Sequence, residues 1–282
     1  MIKYALLLIT IFTTISCKDV KNDNQNNFEQ LRIVSLSGAI TETLVELGQK
    51  DNIVGIDITS TYPKKINDRL TQLDHVSKIN IESIIALKPS LVYITKKDLT
   101  DNLAQQLNKA NIKLKVIDQE FSVKGTKQMI TDIAKSLNIM DYDDLLQKID
   151  DDLLKVESIE NKPRVLFIYA RGSSNMFVAG DNTPMQKVIE LASGQNAVTG
   201  FDQFKPLSPE ALISSNPDYI LMFDSGLQSL GGVQGVLKID GIAQTNAGKY
   251  KRVISLDGLL LSGFTPRLGQ GVRELNKKLL EK

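Results

Sequence analysis

Three residues stand out for the chemistry that their side chains offer: a tyrosine, a histidine and a cysteine. Tyr62 lies in the segment DITSTYPKK (57–65), where an apolar run ends and Asp, Ser, Thr and Pro indicate a loop. A phenol in this loop either packs on the next helix or serves a ligand. His75 is the only histidine, which argues against a histidine-based zinc site and leaves a Ser/His/Asp triad one possible base. Cys17 is the only cysteine, so it has no internal disulfide partner.

The first thirty residues predict export and anchoring. Lys3 precedes an apolar segment, 4–15, that has the length of a secretory signal and is too short for a stable membrane span. A small residue, Ser16, stands directly before Cys17, which resembles a bacterial lipoprotein cleavage site. We therefore predict a signal peptide over 1–17 that ends at a lipidated Cys17, with a plain signal peptide as the alternative. Residues 18–30 are polar and predict a flexible tether that holds the protein outside the cytoplasm, on a bacterial membrane.

Composition and motifs exclude several functions. The net charge is +1, and no basic stripe argues for nucleic acid. No Gly-x-Gly-x-x-Gly follows a strand, and neither a Walker A motif nor a Gly-x-Ser-x-Gly elbow is present. The sequence therefore favours a binding protein over an extracytoplasmic α/β enzyme.

One structural unit occurs twice in the chain. INIESIIALKPSLVYI (79–94) and LSPEALISSNPDYILM (207–222) each contain a capping residue, a helix with an early glutamate, a closing proline and a strand. Helices that alternate with strands indicate βαβ units. We predict an α/β protein with two Rossmann-like lobes that have parallel sheets, at 31–120 and 163–282. A long helical connector (121–162) bridges them, and the ligand cleft lies between the lobes, beyond the carboxyl ends of their strands.

Six stretches together resemble the haem-binding lipoproteins of bacterial haem ABC transporters. They are RIVSLSGAITETLVELG, IVGIDITSTYP, ALKPSLVYI, KPLSPEALISSNPDYILM, GLQSLGGVQGV and VISLDGLLLSGFTPR, and the resemblance covers nearly all of 31–270. It implies two α/β lobes that are bridged by a rigid long helix and hold one small ligand. The implied function is to capture haem and deliver it to an ABC permease, without catalysis.

The resemblance also implies a role for Tyr62. In that family the tyrosine of the TSTYP loop is the axial ligand of ferric haem, and phenolate oxygen is a hard donor suited to Fe(III). The chain departs from the family pattern at two places. Ser225 replaces an arginine before GLxxLGG, and Ser77 replaces an arginine near the loop. His75 is therefore a candidate second axial ligand, a propionate partner or a surface residue.

The remaining candidates fall into three groups. The possible propionate partners are Lys64, Lys65, Arg171, Lys205 and Arg267, and the possible cleft-lining residues are Tyr169, Met176, Leu260 and Phe264. Glu82 and Glu210 occupy the same place in the two repeated units, where related proteins present a glutamate to an arginine of the permease; in the alternative, they only compensate the helix dipole.

The expected partners are haem, an ABC permease with its ATPase, and a membrane reached through the lipid, with the protein itself a monomer. A corrinoid or a ferric siderophore, carried on the same scaffold, is the alternative ligand.

Overall fold

The structure, a computed structural model, describes residues 31–281. The predicted signal peptide, Cys17 and the tether lie outside these residues. The strands are β1 (Ile33–Ser35), β2 (Ile53–Ile56), β3 (Thr71–Gln72), β4 (Leu91–Thr95), β5 (Lys113–Ile117), β6 (Arg164–Ala170), β7 (Met176–Ala179), β8 (Gln195–Asn196), β9 (Phe204–Pro206), β10 (Tyr219–Phe223) and β11 (Val253–Leu256).

Helices cover the faces and the connections of two sheets. They are α1 (Gly38–Glu46), α2 (Ile81–Ala86), α3 (Asp101–Lys109), α4 (Val123–Ser136), α5 (Asp143–Leu153), α6 (Pro184–Leu191), α7 (Pro209–Ser215), α8 (Asp224–Ser229), α9 (Val233–Val236), α10 (Asn246–Lys249), α11 (Gly258–Ser262) and α12 (Leu268–Leu280). Within the described part of the chain, no helix combines the length and the apolar character needed to cross a membrane.

The first lobe is built on a parallel sheet with the order β3-β2-β1-β4-β5. Its central strand contributes side chains to both faces, because successive residues of a strand point in opposite directions. Ile33 packs into one apolar cluster together with Met129 and Ile133 of α4. Val34 packs into the cluster on the other face, beneath α2 and α3. The sheet is thus buried on both sides, as parallel sheets are.

The second lobe repeats this plan and adds to it. Strand β6 pairs in parallel with β8 and with β10, and β10 pairs with β11. In the same way, β1 pairs with β2 and β4, and β4 pairs with β5. The α/β fold and the topological duplication that the repeated units predicted are therefore present.

The second sheet is mixed, so the prediction of two parallel sheets was wrong for this lobe. Strand β7 runs antiparallel to β6, and β9 runs antiparallel to β7. The cause is the short connection 171–175, which is closed by a hydrogen bond from the Arg171 N–H to the Asn175 carbonyl. A turn of this length joins only antiparallel strands, because a parallel crossover needs a dozen or more residues.

The segment between the lobes contains two helices, α4 and α5, rather than one long helix. The apolar face of α4 packs on the first lobe, and α5 packs against α12 of the second. This second contact is close: a Cβ placed on Gly269 would lie 2.7 Å from the Ile149 carbonyl oxygen. An ion pair between Arg273 and Asp152, 2.9 Å apart, joins the same two helices. The connector is therefore packed against both lobes.

Candidate functional site

A cavity of about 950 Å³ lies where strands of both lobes end. Most of its polar lining residues follow a strand directly or within three residues. Those from the first lobe are Ser37, Thr59, Lys97 and Gln119, and those from the second are Arg171, Asp224, Ser225 and Asp257. This is the position in which open α/β sheets bind ligands, and the predicted cleft between the lobes is present.

The two walls of the cavity differ in chemistry. The first lobe contributes small and polar groups, among them Gly38, Ala39 and Thr61. The second lobe contributes most of the aromatic lining beside its own polar groups, and five of the nine phenylalanines in the chain line the cavity: Phe121, Phe167, Phe177, Phe204 and Phe223. Tyr169 adds a sixth ring, which meets Phe223 edge to face with the centroids 6.2 Å apart. Such a wall fits a flat, largely apolar ligand.

A buried network of hydrogen bonds fixes the loop that carries Tyr62. The Thr59 and Ser60 hydroxyls donate to the two carboxylate oxygens of Asp57, at 2.7 and 2.8 Å. Thr41 of α1 bonds Ser60 at 2.7 Å, and the Gly38 N–H donates to Thr59 Oγ1 at 2.8 Å. Burial raises the pKa of Asp57 above 3.8, although the hydroxyl donors act in the opposite direction. The loop is thus bound to the start of α1 at the cavity wall.

Tyr62 lies on a buried cation. The guanidinium carbon of Arg267 is 3.5 Å from the centroid of the Tyr62 ring. Arg267 also donates two hydrogen bonds to Glu42, at 3.0 Å to Oε1 and 2.7 Å to Oε2, and the Glu42 side chain is wholly buried. Burial alone would lower the pKa of Arg267, but the hydrogen bonds and charge of Glu42, with further help from Tyr62 and Asp257, raise it overall. The arginine is therefore charged at the face of the phenol ring.

The structure brings some of the predicted site residues together in the cavity and leaves others outside it. Tyr169 and Arg171 line it, with the guanidinium 5.6 Å from the Tyr169 centroid. Tyr62 is not among the lining residues, but its neighbours Thr59 and Thr61 are. Leu260 and Phe264 are buried in the second lobe, where Leu259 faces the cavity instead.

Four predicted residues lie elsewhere on the surface. His75 is exposed, and its Nδ1 lies 2.8 Å from the Ser77 hydroxyl rather than in the cavity. Lys205 is exposed, with its ammonium 4.5 Å from the Phe201 centroid. Lys64 and Lys65 are exposed beside Pro63.

Met176 and the two glutamates also lie outside the cavity. Met176 lines a separate groove of about 630 Å³ in the second lobe. Glu82 and Glu210 are exposed, each as the second residue of its helix, after the capping side chains of Asn80 and Ser208.

Sequence reasoning missed several residues of the site, among them the five phenylalanines, Lys97, Gln119 and Glu42. Lys97 and Gln119 each stand two residues after a strand, so the strand-end rule would have identified them. Glu42 gave no such signal, since it lies within α1 and its partner Arg267 is 225 positions away.

Comparison with known proteins identifies the family. The profile of the periplasmic binding protein family matches residues 33–259. The chain belongs to the periplasmic binding protein family. Among curated relatives, this periplasmic binding protein is 26% identical over 259 residues to the uncharacterized ABC transporter substrate-binding lipoprotein YvrC of Bacillus subtilis, covering 89% of this chain and 80% of YvrC. It is 27% identical over 237 residues to the high-affinity heme uptake system protein IsdE of Staphylococcus aureus, covering 80% and 78%.

Solved structures of periplasmic haem-binding proteins share the fold of this periplasmic binding protein. RhuT from Roseiflexus sp. RS-1, in its apo form, has a TM-score of 0.84 and 36% identity, covering 89% of this chain and 98% of RhuT. BhuT, in complex with two haems, has a TM-score of 0.82 and 32% identity, covering 88% and 97%. The resemblance that the sequence motifs indicated is confirmed, and the matched proteins are binding proteins rather than enzymes.

Proposed function

We propose that this periplasmic binding protein captures haem outside the cytoplasm and delivers it to an ABC permease. The observation that carries the proposal is the set of aromatic side chains that line the cavity between the two lobes, opposite the small and polar groups of the first lobe. A porphyrin is flat and apolar over most of its area, so aromatic rings are matched to its face. RhuT, BhuT and IsdE, which bind haem or take it up, support the same ligand.

Tyr62 is the proposed ligand of the haem iron. Its loop is held by the Asp57 network, and its neighbours Thr59 and Thr61 line the cavity. Among residues 31–281, no side chain is hydrogen-bonded to the Tyr62 hydroxyl, so the oxygen is available to a ligand. The Arg267 cation lies at the face of the Tyr62 ring, 3.5 Å from its centroid, so a positive charge stands beside the proposed ligand. Arg267 thereby supplies a positive charge near Tyr62, which related proteins have as an arginine at the position of Ser225.

Two cations of the cavity are the proposed partners of the haem carboxylates. Lys97 comes from the first lobe and Arg171 from the second, and both are exposed enough to move toward a ligand. Hydrogen bonds from a cation to a carboxylate are stronger than neutral ones, so either residue orients the haem edge in the cleft.

The delivery step rests on Glu82 and Glu210, one in each lobe. Both carboxylates are exposed at equivalent positions, and neither forms an ion pair within the described residues. We propose that they meet cations of two equivalent permease subunits, while a lipid on Cys17 keeps the monomeric protein at the membrane.

A hemin titration of the full-length protein in detergent, followed by absorption, tests the proposal. We expect saturation with the charge-transfer band of a ferric phenolate in the wild type, and loss of that band in Tyr62→Phe. Tyr250→Phe is the matched control, because Tyr250 also stacks on an arginine, with Arg252 4.9 Å from its centroid, but lies outside the cavity. It should leave the spectrum unchanged.

The alternative outcomes are distinct. If the wild type binds no hemin, haem capture is rejected, and a corrinoid or a ferric siderophore becomes the ligand to test on the same scaffold. If Tyr62→Phe keeps the wild-type spectrum, haem capture stands but Tyr62 is not the ligand, and Tyr169, which lines the cavity, is the next residue to change.

A further inference from the structure

Each of the two glutamates is followed, one helical turn later, by an exposed isoleucine. Ile85 stands three residues after Glu82 in α2 and is 41% exposed. Ile213 stands three residues after Glu210 in α7 and is 44% exposed. Residues three apart on a helix are neighbours on its surface. Each lobe therefore presents a carboxylate beside an aliphatic side chain.

This pattern recurs position by position along the two helices. Ile84 and Leu212 are the buried aliphatic residues of the two helices, and Pro89 and Pro217 are buried after them. A single exposed isoleucine is ordinary in a folded protein and needs no explanation. Two at equivalent positions of a duplicated unit, each beside an equivalent glutamate that forms no ion pair within residues 31–281, indicate a surface that both lobes use in the same way.

A groove lies beside each helix. The groove next to α2, about 420 Å³, is lined by Asn80, Ser83 and Ala86, with Ile58 at 43% exposure adding another apolar side chain. The groove next to α7, about 630 Å³, includes Pro209 and Leu207. Both grooves are of mixed polarity and neither is lined by Ile85 or Ile213, so the feature that the two lobes share is the glutamate and the exposed isoleucine of each helix.

We propose that Ile85 and Ile213 are the apolar anchors by which the two lobes dock on the permease. The proposal rests on the function proposed above and extends it from the glutamates to a mixed surface on each lobe. The duplication requires a partner with two equivalent sites, which a two-fold symmetric permease offers. Each site needs a cation for the glutamate and an apolar pocket that accepts the isoleucine.

The two residue types act on different rates. Exposed carboxylates steer the encounter, so they govern association and its dependence on salt. A buried aliphatic side chain stabilises the formed complex, so its loss speeds dissociation. The isoleucines therefore determine how long the complex lasts, and the glutamates determine how fast it forms.

The experiment measures docking of the haem-loaded, full-length protein on its cognate permease in lipid nanodiscs, by surface-based binding kinetics. Ile85→Ser and Ile213→Ser should each weaken docking roughly tenfold, and the double variant roughly a hundredfold, through faster dissociation. Glu82→Gln and Glu210→Gln should slow association instead. Leu154→Ser is the matched control, because Leu154 is 83% exposed and lies at the end of α5 in the connector, outside α2 and α7.

Each outcome decides the proposal. Faster dissociation in both isoleucine variants, with Leu154→Ser unchanged, supports it. Wild-type kinetics for the isoleucine variants, with slower association of the glutamate variants, overturn it and leave the glutamates as the docking groups. An effect of only one isoleucine also overturns it, since the two sites are then not equivalent. A hemin titration of each variant shows whether haem capture is intact, which separates a docking defect from a binding defect. If the protein does not bind haem, docking is measured with the ligand-free protein instead.

Discussion

Within residues 31–281, Glu42 and Arg267 form the one ion pair in which a buried carboxylate of the first lobe meets a cation of the second. The pattern of α1 gives no reason to bury a glutamate, and a sequence shows no link between residues 225 positions apart. Tyr62, by contrast, could be singled out as a candidate from its TSTYP loop, because that motif is local, and its role stays a prediction. Candidate site residues can therefore be predicted from sequence when they lie in one local motif. A contact between two distant segments cannot be predicted in this way.

The buried pair leads to a stability prediction. Arg267→Met leaves the Glu42 carboxylate buried without a partner and should lower the free energy of unfolding by about 3–5 kcal/mol. The double variant Glu42→Gln/Arg267→Met should recover much of that loss, because no unpaired charge remains. Urea denaturation of the three proteins provides the measurement.

An exposed pair serves as the control for this measurement. Lys96 and Asp118 lie 3.1 Å apart, with side chains 71% and 75% exposed. Lys96→Met should change the free energy of unfolding by less than about 1 kcal/mol. If Lys96→Met and Arg267→Met lowered the free energy of unfolding by similar amounts, burial of the Glu42 carboxylate would not be the cause of the loss in Arg267→Met.

At the scale of elements, the repeated helix-and-strand unit was predictable and the β7 and β9 strands were not. The unit around α2 and α7 carries its own signals in sequence: a cap, an early glutamate, a periodic helix and a closing proline. The short strands β7 and β9 depend on pairing with each other and with β6, so their sequence alone does not specify them. Local signals predict elements, and tertiary pairing decides the sheet type.

The Asp57 network predicts a dependence of stability on pH at the base of the Tyr62 loop. The pKa of Asp57 is higher in the folded protein than its ordinary 3.8, so the folded state binds the proton more tightly than the unfolded chain. The contribution of Asp57 is therefore fully present below pH 3.8 and falls as the pH rises through the raised value. Asp57→Asn does not titrate and should lack this fall.

The measurement is the free energy of unfolding of the wild type minus that of Asp57→Asn, from urea denaturation at successive pH values. The difference should become less favourable to the wild type as the pH rises from about 4, and should then level off. Subtracting the variant removes the contributions of the other carboxylates. A difference that instead rises with pH would show that the Thr59 and Ser60 hydroxyls outweigh the burial of the carboxylate.

On the scale of the whole molecule, several contacts hold the two lobes together besides the connector. Arg267 pairs with Glu42, the Gln119 side-chain amide donates to the Gly263 carbonyl at 2.9 Å, and Phe121 meets Phe264 edge to face at 5.4 Å. In the connector, α4 packs on the first lobe and α5 packs on the second. Because these contacts already join the two lobes, we expect that ligand entry does not require the lobes to close by a hinge.

Spin labels on the two lobes test this rigidity. Ser83 in α2 and Ser214 in α7 are exposed at equivalent helices, so Ser83→Cys and Ser214→Cys place one label on each lobe. A Cys17→Ser background removes the only other thiol. We expect the interlabel distance, measured by pulsed electron paramagnetic resonance, to shift by less than about 2 Å on addition of hemin.

The same labels in Glu42→Gln/Arg267→Met should give a broader distribution of interlabel distances, because the buried contact between the lobes is lost. A larger shift in the wild type would indicate hinge closure, and the contacts around Arg267 would then belong to only one of two states.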